Sequence, residues 1–470
     1  MRKTKIVCTI GPASNNEQTL TQMCRAGMNV ARLNFSHGTY EDHKKNIELI
    51  TRVRETLGLP IAIMLDTKGP EYRIGIFEDG KIQLHSDDTF TFTTEDIIGN
   101  GERVSVSYKD LPKDLEIGDR ILLNNGLLIF EVTSLTDTDV VCRVIVGGEL
   151  SNRKSMSFPN KVLKQVYLSE QDKSDLLFGI EHGVDFIACS FTSRKQDLLD
   201  IKKFLQEHNA PNIELIAKIE NQAGIDNIEE ICSECSGIMI GRGDMGVEIA
   251  YEKLPAIQKH LITKCRMLGK RVITATEMLE SMIHNPRPTR AEISDVANAV
   301  YDGSSAVMLS GETAAGKYPA EAVAAMARIT EETEKNIRFD EQFRKEEFKI
   351  KNSVDAISHS TCGMAIDLGA SAIVVCSHSG MTVRMVSRFR SPVDIIGLTT
   401  DPTVYRQLAL SWGVTPVLTE AYPSTEVLFY VAKKTAIKTF HLKTGDDIII
   451  TGGATTGVSG NTDLIKIEHV

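Results

Sequence analysis

The sequence predicts an α/β protein whose central domain is a parallel (β/α)8 TIM barrel, with an inserted all-β lid domain and a C-terminal open-sheet α/β domain. Three observations predict this fold. Eight short apolar runs alternate with helical stretches, one segment loses the helical period, and a new α/β series follows the barrel. The boundaries that we expect are 1–68 and 166–343 for the barrel, 69–165 for the insertion and 344–470 for the C-terminal domain.

The barrel prediction depends on the eight runs and on the helix signals between them. Ser169 to Asp172 and Thr289 to Glu292 are capping-box patterns, in which side chains satisfy the free N–H groups of a helix start. Gly183 and Gly303 are typical helix stops. Eight strands that alternate with helices favour a closed parallel barrel. The predicted strands are Ile6–Ile10, Met28–Phe35, Ile61–Leu65, Val184–Phe191, Ile213–Ile219, Gly237–Ile240, Arg271–Thr276 and Ser305–Leu309.

The segment between Lys68 and about Gln165 alternates apolar and polar residues and contains turn signals such as Asp79-Gly80 and Asn100-Gly101. It follows the third predicted barrel strand, at the face where barrel active sites lie, so we expect it to act as a lid. Its predicted strands are Lys81–Leu84, Thr89–Thr93, Val104–Tyr108, Arg120–Leu123, Leu128–Thr133 and Val140–Val146.

The chain after about Phe343 begins with a Lys/Glu-rich stretch and then returns to alternating strands and helices. This pattern predicts a third domain with an open sheet. Its predicted strands are Ala372–Cys376, Val393–Leu398, Val414–Leu418, Asp447–Thr451 and Leu464–Glu468.

Composition excludes several classes of protein. The 470 residues are 42 % hydrophobic and 25 % charged, as in ordered globular chains, and the formal net charge is −10. We therefore expect neither nucleic acid nor an anionic membrane surface as a partner. No apolar run approaches the roughly 20 residues that span a bilayer. Nine scattered cysteines indicate reduced thiols and a cytoplasmic protein, and the single CxxC of Cys232 and Cys235 lacks the second pair that a metal site needs.

Charged residues concentrate where the predicted barrel strands end. Glu220 and Asp244 offer carboxylate oxygens of the kind that bind Mg²⁺, and Arg32 and Lys218 offer cations for a phosphoryl group. Lys218 and Glu220 alone are equally explained as a structural ion pair. Polar groups at most strand ends together favour a site for an anionic substrate and one or two hard cations.

Further oxygen donors lie near the same predicted rim. Asn34, Ser36 and Asp66 suit a second, larger cation, and strand alternation predicts that Arg32, Asn34 and Ser36 share a face. The glycines around Asp244 expose backbone N–H groups that bind a carboxylate or phosphate.

Seven segments, distributed over the barrel part of the chain, have a distinctive sequence: Lys5–Pro12, Arg32–Gly38, Leu65–Arg73, Lys218–Asn221, Gly243–Glu248, Thr274–Leu279 and Asn285–Glu292. They closely resemble the pyruvate kinase family, and the resemblance runs the whole length of the chain. The length is similar to that of bacterial members without an extra C-terminal phosphotransfer domain.

The resemblance implies phosphoryl transfer from phosphoenolpyruvate to ADP, giving pyruvate and ATP, with Mg²⁺ (or Mn²⁺) and K⁺ as cofactors. It implies catalytic roles for Lys218, Thr276 and Arg32. The implied Mg²⁺ ligands are Glu220 and Asp244, and the implied K⁺ ligands are Asn34, Ser36, Asp66 and Thr67. Arg32, Gly243, Asp244 and Thr276 correspond to the substrate-binding positions, and His37, Arg73 and Lys154 to the nucleotide side.

Three residues and one segment of this chain affect how the implied roles apply to it. In the family, a glutamate at the position of Glu71 accompanies K⁺ dependence, so we expect K⁺ activation. Glu277 stands where the family usually has glutamine, and Tyr72 replaces the usual isoleucine. The segment 152–159 lacks the family's usual glycine and asparagine, which leaves Arg153 as an alternative to Lys154.

The third domain carries a candidate regulatory site. Ser377, Ser379, Gly380 and Thr382 lie between a predicted strand and helix and resemble the family's effector loop for a sugar phosphate or nucleotide, and the glycines at 452–453 and 457–460 are expected to close over it. An ordinary strand-to-helix turn is the alternative. The family resemblance also implies a homotetramer.

Two other functions would use part of the same residue set. A barrel lyase or mutase acting on phosphoenolpyruvate or oxaloacetate would need the metal carboxylates but no nucleotide-side cations. A non-catalytic metabolite sensor would be expected to lack one of Lys218, Glu220 and Asp244, all of which are present.

Overall fold

The computed structural model describes residues 1–124, 126–159, 161, 163–164, 166–453 and 462–470. Its first elements are three strands joined by two helices. A capping box in which the Thr39 side chain accepts from the N–H of Asp42 begins the second helix, and Gly58 ends it with φ of 63°. These elements are β1 (Lys5–Thr9), α1 (Glu17–Ala26), β2 (Val30–Asn34), α2 (Tyr40–Leu57) and β3 (Ala62–Asp66).

The inserted segment folds into a seven-stranded sheet of order β4-β12-β8-β9-β10-β6-β7 and a two-stranded sheet of β11 and β5. Phe90, Phe92 and Phe130 are fully buried and pack edge to face in its core. The elements are β4 (Tyr72–Arg73), β5 (Lys81–Leu84), β6 (Thr89–Thr93), β7 (Arg103–Ser105), α3 (Leu111–Asp114), β8 (Arg120–Leu123), β9 (Leu128–Leu135), β10 (Asp139–Val146), β11 (Gly148–Ser151) and β12 (Ser155–Ser157).

All six strands predicted for the insertion are present, with small differences at their ends, but the structure has three further strands and one short helix. The additional strands, β4, β11 and β12, have two to four residues. β4 and β12, with two and three residues, carry too little alternation to be detected in a sequence, and β11 begins at the Gly147-Gly148 pair, which is typical of a turn.

The chain then completes the barrel. Both predicted capping boxes are present, at Ser169 and Thr289. The elements are α4 (Glu170–Glu181), β13 (Phe186–Cys189), α5 (Lys195–Glu207), β14 (Glu214–Ile219), α6 (Gln222–Asp226), α7 (Ile228–Glu234), β15 (Gly237–Gly241), α8 (Arg242–Glu248), α9 (Leu254–Met267), β16 (Arg271–Ala275), α10 (Arg290–Tyr301), β17 (Ala306–Leu309), α11 (Gly311–Ala314) and α12 (Pro319–Lys335), with 3₁₀ turns at Tyr251–Lys253 and Glu280–Ile283.

Eight strands close the barrel in the order β1-β17-β16-β15-β14-β13-β3-β2, and every neighbouring pair is parallel. This confirms the (β/α)8 prediction strand by strand. Val7, Val30, Met64, Ile216 and Met308 are among the buried side chains of one inner cluster. The barrel is therefore a packed core, and its chemistry is confined to its rim.

The C-terminal part forms a five-stranded sheet of order β20-β19-β18-β21-β22, in which only β22 runs antiparallel to its neighbour. The open sheet is confirmed. The elements are α13 (Phe339–Lys345), α14 (Ser353–Asp367), β18 (Ala372–Cys376), α15 (Met381–Ser387), β19 (Ile395–Thr399), α16 (Pro402–Gln407), β20 (Val414–Leu418), α17 (Thr425–Phe440), β21 (Asp447–Gly452) and β22 (Leu464–His469), with a 3₁₀ turn at Leu408–Leu410.

This C-terminal sheet domain is attached to the barrel floor, the side at which the barrel strands begin. Arg384 reaches Glu214, the first residue of β14, at 2.8 Å, and Arg406 reaches Asp185, which precedes β13, also at 2.8 Å. The Lys5 ammonium of β1 donates to the carbonyl oxygen of Val414 at 2.7 Å. The rim at which the strands end is left free for the inserted domain. Among the described residues, no helix combines the length and apolar character needed to cross a membrane.

Candidate active site

A cleft of about 630 Å³ lies between the barrel rim and the inserted domain. Arg32, Lys218 and Asp244 line it from the barrel, and Tyr72 and Phe158 line it from the insertion. Parallel strands bring their carboxyl ends to one rim, so residues far apart in sequence share this cleft.

Lys218 is the central cation of the cleft. It lies near the end of β14, where its ammonium donates to Asp66 Oδ1 at 3.1 Å and to Ser190 Oγ at 2.7 Å, and it lies 3.0 Å from Glu220 Oε1. Burial alone would lower the pKa of Lys218, but Asp66 and Glu220 outweigh burial and raise it above its usual range. The lysine is therefore a fixed, charged group.

Arg32 lies beside Lys218 and shares its carboxylate. Its Nε donates to Asp66 Oδ2 at 2.6 Å and its Nη1 donates to Thr9 Oγ1 at 2.9 Å. Burial of Asp66 opposes its ionisation, but Arg32 and Lys218 hold its pKa below the usual range. One carboxylate thus orients two cations towards the cleft.

Asp244 lines the cleft, and a second carboxylate, Glu220, is buried next to the lining residue Lys218. Glu220 is buried, and its Oε2 accepts from the N–H of Phe191 at 2.8 Å. Burial raises its pKa, and nearby Asp244, in the first turn of α8, raises it further, whereas Lys218 opposes the rise. The nearby protein cations do not fully neutralise these two carboxylates. Their oxygen atoms are therefore suitable ligands for a divalent cation. No group of three or more His, Cys, Asp or Glu side chains within the described residues is arranged to hold a metal.

Gly243 precedes the lining residue Asp244 and contacts Thr276, because the N–H of Gly243 donates to Thr276 Oγ1 at 2.8 Å. Thr276 and Glu277 both have positive φ, 69° and 54°, which is uncommon for side-chain-bearing residues. Arg242 holds this turn, because its Nη2 donates to the carbonyl oxygen of Thr276 at 2.6 Å while Nη1 contacts Asp295. Such strain persists only where the surroundings impose it.

Family models match most of the chain. The model described as "Pyruvate kinase, barrel domain" matches residues 1–323, and the model described as "Pyruvate kinase, alpha/beta domain" matches residues 355–468. The chain belongs to the pyruvate kinase family.

Curated relatives and a solved structure agree with this membership. A pyruvate kinase of Clostridium acetobutylicum is 44 % identical, with 100 % of both chains covered. One of Staphylococcus saprophyticus is 47 % identical over 100 % of this chain and 81 % of its own length. The crystal structure of a pyruvate kinase from Cryptosporidium parvum has a TM-score of 0.94 and 38 % identity, and covers 100 % of this chain and 96 % of that one.

The positions that the pyruvate kinase resemblance associates with K⁺ lie on the same side of the cleft. Asn34 ends β2, but Ser36 lies beyond the strand in a turn, where its N–H donates to Asn34 Oδ1 at 3.1 Å. The prediction that alternation places Ser36 on the strand face of Arg32 was wrong, because the strand ends first. Thr67 Oγ1 accepts from the N–H of Ser190 at 3.2 Å, and both Asp66 oxygens face the cations.

The nucleotide-side positions of a pyruvate kinase are less closely grouped. His37 lines the cleft and also an adjoining cavity of about 950 Å³. Arg73 lines the cleft, pairs with Glu71 at 2.5 Å and donates to the carbonyl oxygen of Arg153 at 2.8 Å. The adjacent wall is formed by residues 155–158, so neither Lys154 nor Arg153 is part of the lining.

Sequence reasoning missed several groups that shape the site. Ser190 connects Lys218 to Asp66, and Arg242 supports the Thr276 turn. The cavity beside His37, walled partly by Pro12 and Leu49, was also missed. Ser190 is a single serine after a strand, and no sequence motif marks it as part of a site. The Gly-Arg-Gly sequence around Arg242 marked a turn but not its partner.

The candidate effector loop lies in the C-terminal sheet domain, far along the chain from the cleft. Ser377 and Ser379 follow β18, Gly380 has φ of 71°, and Thr382 Oγ1 lies 2.6 Å from Thr462 Oγ1. The glycines at 457 and 460, expected to close over this loop, lie outside the described residues.

Proposed function

We propose that this chain transfers the phosphoryl group of phosphoenolpyruvate to ADP, forming pyruvate and ATP in the last step of glycolysis. The observation that carries the proposal is the convergence of Lys218, Arg32 and Asp244 on one cleft, with the buried Glu220 3.0 Å from the Lys218 ammonium. Membership of the pyruvate kinase family supports it.

The two cations address the main barrier of the reaction. Phosphoenolpyruvate and ADP are both polyanions, and two unit charges about 4 Å apart repel by about 4 kcal/mol at an effective dielectric constant near 20. Lys218 and Arg32 are held in place before substrate arrives, so they stabilise the migrating phosphoryl group without reorganising. They are the residues that orient the group for in-line transfer.

Glu220 and Asp244 would hold the divalent cation, Mg²⁺ or Mn²⁺. When bound, the ion would supply positive charge that neutralises the substrate's anionic groups. Two protein carboxylates leave most of its coordination positions for substrate and water, as Mg²⁺ prefers. The raised pKa of Glu220, caused by burial and by Asp244, fits an acidic pair that awaits a positive partner.

Gly243, Asp244 and Thr276 would bind the substrate carboxylate. The backbone N–H groups at the start of α8 are donors for an anion, and the Thr276 hydroxyl lies 2.8 Å from the Gly243 nitrogen. After phosphoryl transfer, the enolate is protonated at carbon, and the family resemblance assigns Thr276 to that step. The Thr276 hydroxyl donates to the carbonyl oxygen of Ala275 at 2.6 Å and would exchange this partner on substrate binding.

Asn34, Ser36, Asp66 and Thr67 supply oxygen atoms for K⁺ on the side of Arg32. Glu71, at the rim of the cleft, is the position that we associate with K⁺ dependence. ADP would lie between the cleft and the cavity beside His37, with Arg73 contacting its phosphates and Lys154 in a supporting position.

We also propose a domain organisation, a cellular compartment and an oligomeric state for this protein. We assign 1–68 and 166–343 to the barrel, 69–165 to the lid and 344–470 to an allosteric domain that binds a phosphorylated metabolite at Ser377, Ser379, Gly380 and Thr382. All nine cysteines lie in described parts of the chain and are free, which supports a reducing cytoplasm. The proposed assembly is a homotetramer, as in the family.

A coupled assay of pyruvate formation, with and without Mg²⁺ and K⁺, tests the function. We expect ATP and pyruvate to appear in equal amounts only when ADP and Mg²⁺ are present. Pyruvate without ATP would instead indicate a lyase or phosphatase acting on the same substrate. No observation in the structure favours that second function.

A further inference from the structure

A third cavity, of about 440 Å³, lies where the C-terminal sheet domain meets the barrel floor. Lys202, Glu214 and Lys270 line it from the barrel, and Arg384 and Met385 line it from α15. Glu214 begins β14 and Lys218 lies near its other end. The cavity is therefore separate from the catalytic cleft but borders the same strand.

The charges around this floor cavity are unbalanced. Glu214 is shared between Arg271 at 2.5 Å and Arg384 at 2.8 Å. Glu234 is likewise shared between Lys195 at 3.0 Å and Lys202 at 2.7 Å. Arg384 and Lys202 line the cavity together with Glu214 and Glu234, so these four charges balance, and Lys270 is a third cation of the lining. The floor cavity has a local positive excess in a chain whose net charge is −10.

Lys270 contributes positive charge to the floor cavity, and its ammonium has N–H donors left for a ligand. Its ammonium donates to the carbonyl oxygen of Cys235 at 2.8 Å, and that carbonyl carries no net charge. An ammonium has three N–H donors. The side chain of Lys270 is half-buried at the wall, so its charge acts in a partly shielded environment, where attraction for an anion is stronger than in open water.

The lining of the floor cavity also has an apolar part. Leu205, Ile213 and Leu215 contribute to it from the barrel, and Met381 and Met385 contribute from α15. Methionine side chains are flexible and adapt to ligands of different shapes. The volume lies within the roughly 300–1,000 Å³ usual for small-molecule sites. A lining that combines cations with apolar groups suits an anion with an organic part.

We propose that the floor cavity binds a small organic anion, with its phosphate or carboxylate group near Lys270 and Lys202 and its organic part against Met381 and Met385. The ligand would lie between two domains and next to the Arg384–Glu214 pair at the start of β14. Its binding would stabilise one arrangement of that domain interface. The site shares Met381 with the segment 377–382, but Ser377, Ser379, Gly380 and Thr382 are not among its lining residues, and it is distinct from the substrate cleft.

The test uses the full-length protein labelled with ¹³C at the methionine methyl groups and titrated with phenyl phosphate. We expect a saturable shift of the Met385 methyl resonance, identified by its loss in Met385→Leu. Lys270→Gln and Lys202→Gln should each raise the apparent Kd for that shift at least fivefold. The matched control is Lys264→Gln, a lysine paired with Glu229 at 2.8 Å outside the cavity, which should leave the Kd unchanged.

Two further arms separate this site from its alternatives. Phenol, which has the ring but no charge, should bind at least tenfold more weakly at Met385. Ser379→Ala, in the loop preceding α15, should leave the Met385 titration intact. The proposal is overturned if Met385 does not respond, if phenol matches phenyl phosphate, or if the two lysine variants titrate as the unmodified protein does. Because the readout is binding, none of these outcomes depends on catalytic activity.

Discussion

Asp66, the last residue of β3, meets Lys218 of β14 at 3.1 Å across the barrel rim, although β13 lies between their strands. The second oxygen of the same carboxylate holds Arg32 at 2.6 Å. Two buried cations that repel one another are thereby fixed side by side. This arrangement pre-forms a binding site for a doubly charged group such as a phosphoryl.

Lys218→Met tests the cation that we place on the migrating phosphoryl group. Removing a fixed charge from the transition state should lower kcat by about a thousandfold or more. Binding of Mn²⁺, measured by electron paramagnetic resonance, should persist because Glu220 and Asp244 remain. The control is Lys109→Met, which removes an exposed lysine of the inserted domain. Turnover close to that of the control would contradict the role of Lys218.

Asp66→Asn tests the carboxylate that joins the two cations. An amide keeps the shape but leaves the buried Arg32 without this counter-charge and Lys218 with Glu220 alone, which should cost about 3–5 kcal/mol in the free energy of unfolding. We also expect kcat to fall at least about a hundredfold. Asp96→Asn breaks an exposed pair with Lys109 and should cost less than about 1 kcal/mol. Denaturant titration and the pyruvate assay measure both effects, and equal costs for the two variants would refute the assignment.

K⁺ activation is expected from Glu71, which pairs with Arg73 at 2.5 Å and with Lys68 at 3.5 Å. Activity in buffer free of both K⁺ and Na⁺ should be a small fraction of that at saturating K⁺. Glu71→Lys supplies a positive charge at the cleft rim and should reduce the ratio of activities with and without K⁺. Full activity of the unmodified chain without monovalent cations would remove the K⁺ proposal.

Lys5 should make stability depend on pH. Its side chain is buried at the barrel floor, and burial lowers the pKa of the ammonium to about 7 from 10.5, with Arg2 and Lys3 adding to the effect and Glu334 and Asp394 opposing it. Between these two values the unfolded chain binds more protons than the folded chain does. The contribution of Lys5 to stability therefore increases with pH, by at most about 1.4 kcal/mol per pH unit.

Lys5→Met removes this dependence together with one hydrogen bond to Val414. The variant should gain stability relative to the unmodified chain at pH 7, and the gain should shrink towards pH 9. Denaturant unfolding of both proteins at pH 7, 8 and 9 measures it, with Lys264→Met as the control for loss of a lysine elsewhere. A stability difference that is constant with pH would show that Lys5 does not titrate in this range.

The barrel strands could be predicted because each is an apolar run between helix signals, and a run such as Ile213–Ile219 differs from the observed β14 by one residue. Motifs at the strand ends likewise predicted that Lys218, Glu220 and Asp244 lie near one another, as the structure has them, and their roles stay predictions. Ser36 was misplaced because alternation was extended past the end of β2. Contacts between distant segments, such as Ser190 with Lys218 or Arg384 with Glu214, have no local signal, since only the closed barrel brings them together.

The bridges across the barrel floor mean that the catalytic part of the chain is not a free-standing module. Truncation near residue 344 would deprive Asp185 and Glu214 of one arginine each and leave Lys5 without its acceptor. Breaking a buried ion pair costs about 3–5 kcal/mol, against a total stability of about 5–15 kcal/mol for a typical domain. An excised barrel is therefore not expected to fold autonomously, and chimeras that exchange the C-terminal part must carry matching partners for these three residues.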